Sequence, residues 1–120
     1  MNTFEEFHDG FVDGFLIQKS TLNIYLSTFD QRKLILKAYG VLSLKVDGFR
    51  QGNIIFDVLV RYGKEVTLHD IVTIYEFKDE DKARVKLEET VQKNLVILEI
   101  NPSYGMTCTV LAESIDLSPR

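Results

Sequence analysis

The sequence has little of several residue types that mark large protein classes. It contains one cysteine, two prolines, two histidines and no tryptophan in 120 residues. The single Cys108 cannot form an internal disulfide, so nothing in the sequence requires an oxidising compartment. No segment approaches the ~20 apolar residues of a membrane-spanning helix. These shortages exclude a disulfide scaffold and predict a chain without a membrane helix.

Excess positive charge is also missing. The chain has 14 basic and 18 acidic side chains, a net charge of −4, whereas binding to duplex nucleic acid draws its affinity from clustered Lys and Arg. The first fifteen residues include Glu5, Glu6, Asp9 and Asp13 instead of the basic start of a signal peptide. We therefore expect a cytoplasmic protein that binds neither nucleic acid nor membranes.

Length and composition indicate a single globular domain over residues 1–120. Apolar residues make up 45% and charged residues 27% of the chain, which are ordinary globular values. No repeat, low-complexity tract or linker divides the sequence, and no motif for a cofactor is present.

The first half of the chain shows strand patterns. Residues 21–28 alternate between apolar and polar side chains, as a strand with one buried face does. From Leu34 to Val46 every second residue is apolar or glycine over about thirteen residues, which exceeds the ~10 residues of an ordinary strand. A glycine within a strand often marks a bend. The pattern predicts a long third strand bent at Gly40, whose two halves pair with residues 21–28 and 54–62.

Helical spacing follows. Thr67 is placed as an N-cap for a helix of about ten residues, and a second helix is predicted from Asp81 to Lys93. Residues 95–100 are apolar on both parities except for Glu99, as in a strand covered on both faces. The predicted fold is α+β: a single, mostly antiparallel sheet of about six strands, with two helices inserted between strands four and five and packed on one face.

One polar cluster near the start invites a metal hypothesis. His8, Asp9 and Asp13 lie within six residues and have side chains that bind divalent ions. Both aspartates precede glycines, however, and Asp-Gly pairs form turns and bulges. Catalytic residues cannot be assembled, because only one other histidine, His69, is present, and Cys108 lies in an apolar strand.

Two polar turns are candidate binding sites. The first holds Arg50, Gln51 and Asn53, and the second holds Asn101, Ser103 and Tyr104; exposed Tyr and Arg are common anchors at protein interfaces. In a flat meander the first turn lies at the opposite end of the sheet from residues 8–14. The sequence therefore predicts no site shared by these two segments, and only a strong bend at Gly40 would bring them closer.

Three motifs occur in order along nearly the whole chain. They are His8-Asp9-Gly10, the segment FRQGNIIFD at 49–57, and the segment EINPSYG at 99–105. Together they resemble a family of small uncharacterised bacterial proteins. The resemblance implies a bacterial cytosolic single domain and carries no catalytic residue across.

These features are compatible with two functions. The first is a small binding or interaction module of an immunity or regulatory kind, with another protein as its partner and a homodimer as an option. The second is a metal-assisted hydrolase or small-ligand-binding domain that uses His8, Asp9 and Asp13. A concave pocket around those three side chains favours the second, and an exposed apolar patch near the turns favours the first.

Overall fold

The structure, a computed structural model, describes the backbone of residues 2–120 and the side chains from Phe4 onward. In this range the chain forms an α+β fold with one antiparallel sheet and two α-helices. The strands are β1 Asn2–Thr3, β2 Phe11–Gln18, β3 Thr21–Ser27, β4 Lys33–Tyr39, β5 Ser43–Asp47, β6 Asn53–Tyr62, β7 Val96–Tyr104, β8 Thr107–Ala112 and β9 Ser114–Pro119. The helices are α1 Leu68–Tyr75 and α2 Glu80–Gln92, and short 3-10 turns span Glu5–Phe7 and Gly63–Glu65.

The sheet closes on itself. Eight strands follow the order β5-β8-β7-β6-β2-β3-β4-β9, and the short β1 pairs with β6. β4 is followed directly by β5, and β8 by β9; β4 pairs with β9 while β5 pairs with β8. The two ends of the path are therefore joined, and the sheet surrounds its core.

The predicted bend at Gly40 and the pairing of residues 33–38 with β3 are confirmed, but the prediction of one long third strand is wrong, because the chain leaves its ladder at Gly40. Gly40 has φ +61°, a left-handed conformation that glycine adopts without strain. Val41 N then donates to Ser20 O, and Leu42 N donates to Leu111 O, each at 2.8 Å. The segment thus forms two strands, and its second half, β5, pairs with β8 rather than with residues 54–62.

The predicted strand count and helix position are wrong for the same reason. The last strand is also broken, at Glu113, into β8 and β9. Within residues 2–120 there are thus eight longer strands and the two-residue β1, instead of about six. The helices lie between the fifth and sixth of the longer strands, β6 and β7, and not between strands four and five.

The main core lies inside the closed sheet. Its buried side chains alternate along β3 and along parts of β4, β6, β7 and β8, and Val12 of β2 and Phe7 of the first 3-10 turn join them. Members with at most 1% exposure include Leu22, Ile24, Leu26, Leu36, Val58, Leu98, Ile100 and Val110. On these strands one set of alternate side chains faces the interior, and the other set faces the outside of the sheet.

The two helices cover the outer face of β7 and β8. Ile71, Ile74 and Ala83 pack there against Ile97 and Leu111. This second cluster explains why residues 95–98 are buried on both parities, as the sequence predicts. Neither helix in the described part of the chain is long and apolar enough to cross a membrane.

The start of α1 is fixed by a capping box and an ion cluster. Thr67 Oγ1 accepts from Asp70 N at 3.2 Å and Asp70 Oδ2 accepts from Thr67 N at 2.8 Å, which confirms the predicted N-cap. Arg61 of β6 donates to both carboxylate oxygens of Asp70 and to Glu99 of β7. Burial by itself lowers the pKa of Arg61. The hydrogen bonds that Arg61 donates to Glu99 and Asp70 raise the pKa by more, so the net shift is upward. The cluster therefore ties α1 to two strands.

Candidate functional site

A bulge divides β2 into two parts. Pairing with β3 is regular up to Val12↔Leu26 and resumes at Gly14↔Tyr25, so Asp13 is the extra residue. A bulge of this kind redirects a side chain. Asp13 Oδ2 accepts hydrogen bonds from Ser27 Oγ and from Arg120 Nη2, so the carboxylate is held at the sheet surface.

Beyond the bulge, one edge of β2 is open. β6 pairs with β2 only through Phe11↔Ile54 and Val12↔Asn53, because the residues before Asn53 form a turn. Within the described chain, residues 14–18 pair with β3 alone. We call these five residues the open edge of β2.

The direction of the backbone groups on the open edge follows from neighbouring hydrogen bonds. Val41 N donates to Ser20 O and Thr28 N to Arg32 O, so even-numbered residues of this hairpin arm face β4. Successive residues of an antiparallel strand direct their N–H and C=O groups to opposite sides, so the odd-numbered residues of β3 bond to β2. Their partners there are Gly14, Leu16 and Gln18. Phe15 and Ile17 therefore direct their N–H and C=O groups out of the open edge.

The open edge carries exposed apolar side chains. Phe15, Leu16 and Ile17 are 38%, 48% and 54% exposed. Phe15 and Ile17 lie opposite Ile24 and Leu22, so they are on the inner face of the sheet and are nevertheless accessible. Phe49, 47% exposed, meets the Phe15 ring edge-to-face with centroids 5.5 Å apart.

β5 has a second unpaired strand edge, next to the open edge of β2. β5 pairs with β8 on one side and with no strand of the described chain on the other. The hydrogen bond from Val41 to Ser20 joins β5 to the tip of the β2–β3 hairpin, and the turn at 48–52 joins it to the base of β2. Two unpaired edges therefore frame an apolar opening in the sheet.

The predicted binding residue Asn53 holds the base of this opening together. It is buried, with 2% exposure. Its Oδ1 accepts from Arg50 N at 2.8 Å and from Met106 N at 3.1 Å, and its Nδ2 donates to Arg50 O. A Cβ at Gly105 would lie 2.5 Å from Asn53 Oδ1. The amide thus locks the turn at 48–52 against the turn after β7.

Arg50 and Gln51 are on the accessible side of that turn. With Phe11, Asp13 and Phe49 they line a groove of about 420 Å³. The Arg50 guanidinium lies 5.9 Å from the centre of the half-exposed Tyr104 ring, a cation–π contact. The structure therefore brings the Arg50 turn together with Tyr104.

The other two predicted binding residues lie apart from this groove. Asn101 Nδ2 donates to Asp57 Oδ1 at 2.8 Å across the β6–β7 ladder. Ser103 is exposed near the end of β7. Neither lines the groove beside Arg50.

His8 belongs to a separate groove on the other side of the bulge. The groove has a volume of about 480 Å³ and is lined by Phe4, Glu5, His8, Phe56, Asp57 and Val58. His8 Nδ1 donates to Phe56 O at 2.8 Å, and the two rings meet edge-to-face at 5.6 Å. This hydrogen bond occupies Nδ1 and fixes the orientation of the His8 ring.

The three side chains of the metal hypothesis do not converge. Asp9 has φ +61° in a turn and lies beside His8, with 3.7 Å between carboxylate and imidazole. Asp13 is bonded to Arg120 and Ser27 instead. Among the residues that the structure describes, no group of three His, Cys, Asp or Glu side chains is placed to hold a metal ion.

The predicted separation of residues 8–14 from the Arg50 turn is wrong for Asp13, although His8 lines a different groove. Asp13 lines the same groove as Arg50, since β2 pairs with the start of β6. A flat meander would separate the two segments, whereas the closed sheet pairs β2 with the start of β6 and brings Asp13 beside the Arg50 turn.

Sequence reasoning missed the open edge. A signal was present: Phe15, Leu16 and Ile17 are apolar on both parities, the same pattern that marks residues 95–98 as covered on both faces. In β7 the core and the helices provide that cover. On β2 the described chain covers the three side chains only in part, and they remain 38% to 54% exposed.

Comparisons of the chain with family models, with curated proteins and with solved structures find no significant match. The motif resemblance to a family of bacterial proteins therefore stays a prediction.

Proposed function

We propose that this chain is a protein-interaction module that binds an extended polypeptide segment along the open edge of β2. A strand added there would accept and donate hydrogen bonds at Phe15 and Ile17. Its side chains would enter the apolar opening between β2 and β5. This is recognition by β-strand addition, in which main-chain bonds supply affinity and alternate side chains supply specificity.

One observation carries the proposal. Phe15, Leu16 and Ile17 have the composition of a strand covered on both faces, and in the described chain each is at least 38% exposed. An uncovered apolar edge strand is a hazard that proteins block with charges, prolines or bulges. Here the bulge at Asp13 ends before the apolar residues begin, so the edge is left available.

The groove beside Arg50 extends the binding surface. It adjoins the open edge through the Phe15–Phe49 contact, and it adds a cation over the Tyr104 ring. Tyr and Arg are enriched among residues that dominate interface energetics. An extended segment leaving the open edge toward Asp13 would reach these side chains next.

Selection from a library of displayed peptides about ten residues long, the usual upper length of a strand, tests the proposal. We expect selected peptides to alternate apolar and polar residues, and to bind the wild type but not Ile17→Lys. Val85→Lys is the matched control, because Val85 is exposed on α2, away from the sheet opening. Peptides that bind Ile17→Lys as tightly as the wild type would place the binding surface elsewhere and overturn the proposal.

A further inference from the structure

The open edge of β2 ends at the Arg50 turn, and we propose that the segment it binds is the free C-terminal end of a partner chain. The segment runs antiparallel to β2 and places its carboxylate beside Arg50. This inference rests on the proposed function, since it names the ligand of the same edge. Three features at the Gly14 end of the open edge support it: a limit on the length of the bound strand, a glycine that the fold does not require and an unpaired charge.

The first feature is the limit on the length of a bound strand. β6 pairs antiparallel with β2 up to Val12↔Asn53. A segment that pairs antiparallel with the open edge lies in line with β6 and runs toward its first residue. Asp13 is bulged out of the ladder, so a single position, opposite Gly14, separates Asn53 from a residue opposite Phe15. The bound chain must therefore end, or turn out of the sheet, within one residue of Phe15.

The second feature is the glycine at that position. Gly14 does not have a positive φ, and a Cβ there would meet no atom of the described chain within 4 Å beyond its neighbours in sequence. Neither backbone conformation nor packing therefore requires glycine at residue 14. In a strand, glycine often marks the close approach of a ligand or of another backbone. Gly52, just before Asn53, leaves the space of a Cβ equally empty, so the place where the bound chain ends is open.

The third feature is an unpaired positive charge beside this space. Asp13 and Arg50 line the same groove, but the Asp13 carboxylate is already bonded to Arg120. The hydrogen bonds between Arg50 and Asn53 use backbone atoms of Arg50, and its guanidinium faces the Tyr104 ring. No carboxylate of the described chain is paired with that guanidinium. The groove therefore offers one free cation at the point where a bound chain must end.

The charge of Arg50 selects the direction of the bound chain. An antiparallel chain that ends here brings its C-terminal carboxylate, which arginine binds through two parallel hydrogen bonds. A parallel chain that began here would bring its positively charged amino terminus. An internal segment would bring no charge of its main chain and would have to turn out of the sheet. A free C-terminus is thus the occupant that is complementary to the site.

One random library of peptides ~10 residues long, displayed in two formats, tests this inference. In the first format the peptides end in a free C-terminus. In the second, the same peptides begin with a free N-terminus and are followed by the carrier protein. We expect binders that depend on Ile17 to come from the first format. Their apolar residues should align by distance from the C-terminus, with an apolar residue in one of the last two positions, because the end of the chain fixes the register.

The carboxylate is tested on the strongest selected peptide, synthesised as the free acid and as the C-terminal amide. In calorimetric titration of the wild type the amide should bind at least ~10-fold more weakly, since hydrogen bonds to charged groups contribute that much. In Arg50→Gln, which keeps the backbone bonds of the turn, the free acid should bind no more tightly than the amide. Arg84→Gln removes another exposed arginine, on α2, and should leave the difference intact.

Three results would overturn this inference: equal binding of acid and amide by the wild type, an unchanged difference in Arg50→Gln, or equal selection from both formats. The two formats also separate its failure from that of the proposed function. Binders that depend on Ile17 and come equally from the second format retain the proposed function, with an internal segment as the ligand. If neither format gives binders that depend on Ile17, both are refuted.

Discussion

Removing the Asp70 carboxylate should destabilise the fold more than removing any exposed carboxylate. Asp70 Oδ1 accepts from Arg61 Nη2 at 2.6 Å, and Asp70 Oδ2 accepts from Arg61 Nε at 3.2 Å and from Thr67 N at 2.8 Å. The Asp70 and Arg61 side chains are only 9% and 13% exposed. In Asp70→Ala the guanidinium would lose two of its acceptors and α1 would lose half of its capping box.

The magnitude follows from these contacts. Breaking a buried ion pair costs ~3–5 kcal/mol, and Arg61 keeps its bond to Glu99, so the lower end of that range applies. Loss of the reciprocal cap adds ~1 kcal/mol. We expect Asp70→Ala to lower the free energy of unfolding by ~4 kcal/mol, and the melting temperature by ~16 °C for a domain of this size.

Urea denaturation and calorimetry measure this difference. Glu80→Ala is the matched control, because the Glu80–Arg84 pair on α2 is 65% and 60% exposed and such pairs contribute at most ~1 kcal/mol. The reasoning is refuted if Asp70→Ala is no more destabilising than Glu80→Ala. Thr67→Ala, which removes the cap and keeps the ion pair, should lie between them at ~1 kcal/mol.

Three further predictions concern Cys108, Asn53 and His8. Burial raises the pKa of the Cys108 thiol from 9.0 to about 12. Such a raised pKa contributes stability that is fully present below pH 9 and is lost as the pH rises toward 12. The melting temperature should therefore fall more steeply above pH 9 in the wild type than in Cys108→Ala. Asn53→Ala should cost ~2–4 kcal/mol in urea denaturation, since it leaves backbone donors of two turns unpaired; an unchanged midpoint would contradict this. Zn²⁺ should raise the melting temperature by less than ~2 °C in both wild type and His8→Ala, against ~10 °C for a saturated native-state site. A clear rise that disappears in His8→Ala would restore the metal hypothesis.

Local patterns along the sequence predicted the elements well. Thr67 and Asp70 mark the start of α1 because a capping box involves residues three apart, and the apolar run at 95–100 marks a strand inside the sheet. The two predicted helices are confirmed within one or two residues at their starts. Such features depend on neighbours in the chain, which a sequence displays directly.

The closure of the sheet could not be predicted from local sequence patterns. The parity of residues 34–46 continues unbroken through Gly40, and nothing local distinguishes a bent strand from two strands with different partners. The partner of β5 is β8, whose paired residues lie 60 to 68 positions further along the chain, and the choice depends on packing of the whole core. The open edge was missed for a related reason, because only the sheet order shows that β6 begins too late to cover Phe15 and Ile17.

The closed path of the sheet has a consequence for the order in which the chain can fold. β4 finds its second neighbour in β9, and β5 finds its strand partner in β8, the two strands of the described chain that are synthesised after all the others. Pairings between such distant segments carry a large loop-closure entropy and slow the folding of strand-rich domains. Until residues 107–119 arrive, the nascent chain exposes the unpaired edges of β4 and β7 in addition to that of β2. Translation pauses or truncations before β8 should therefore leave an intermediate that aggregates through these edges.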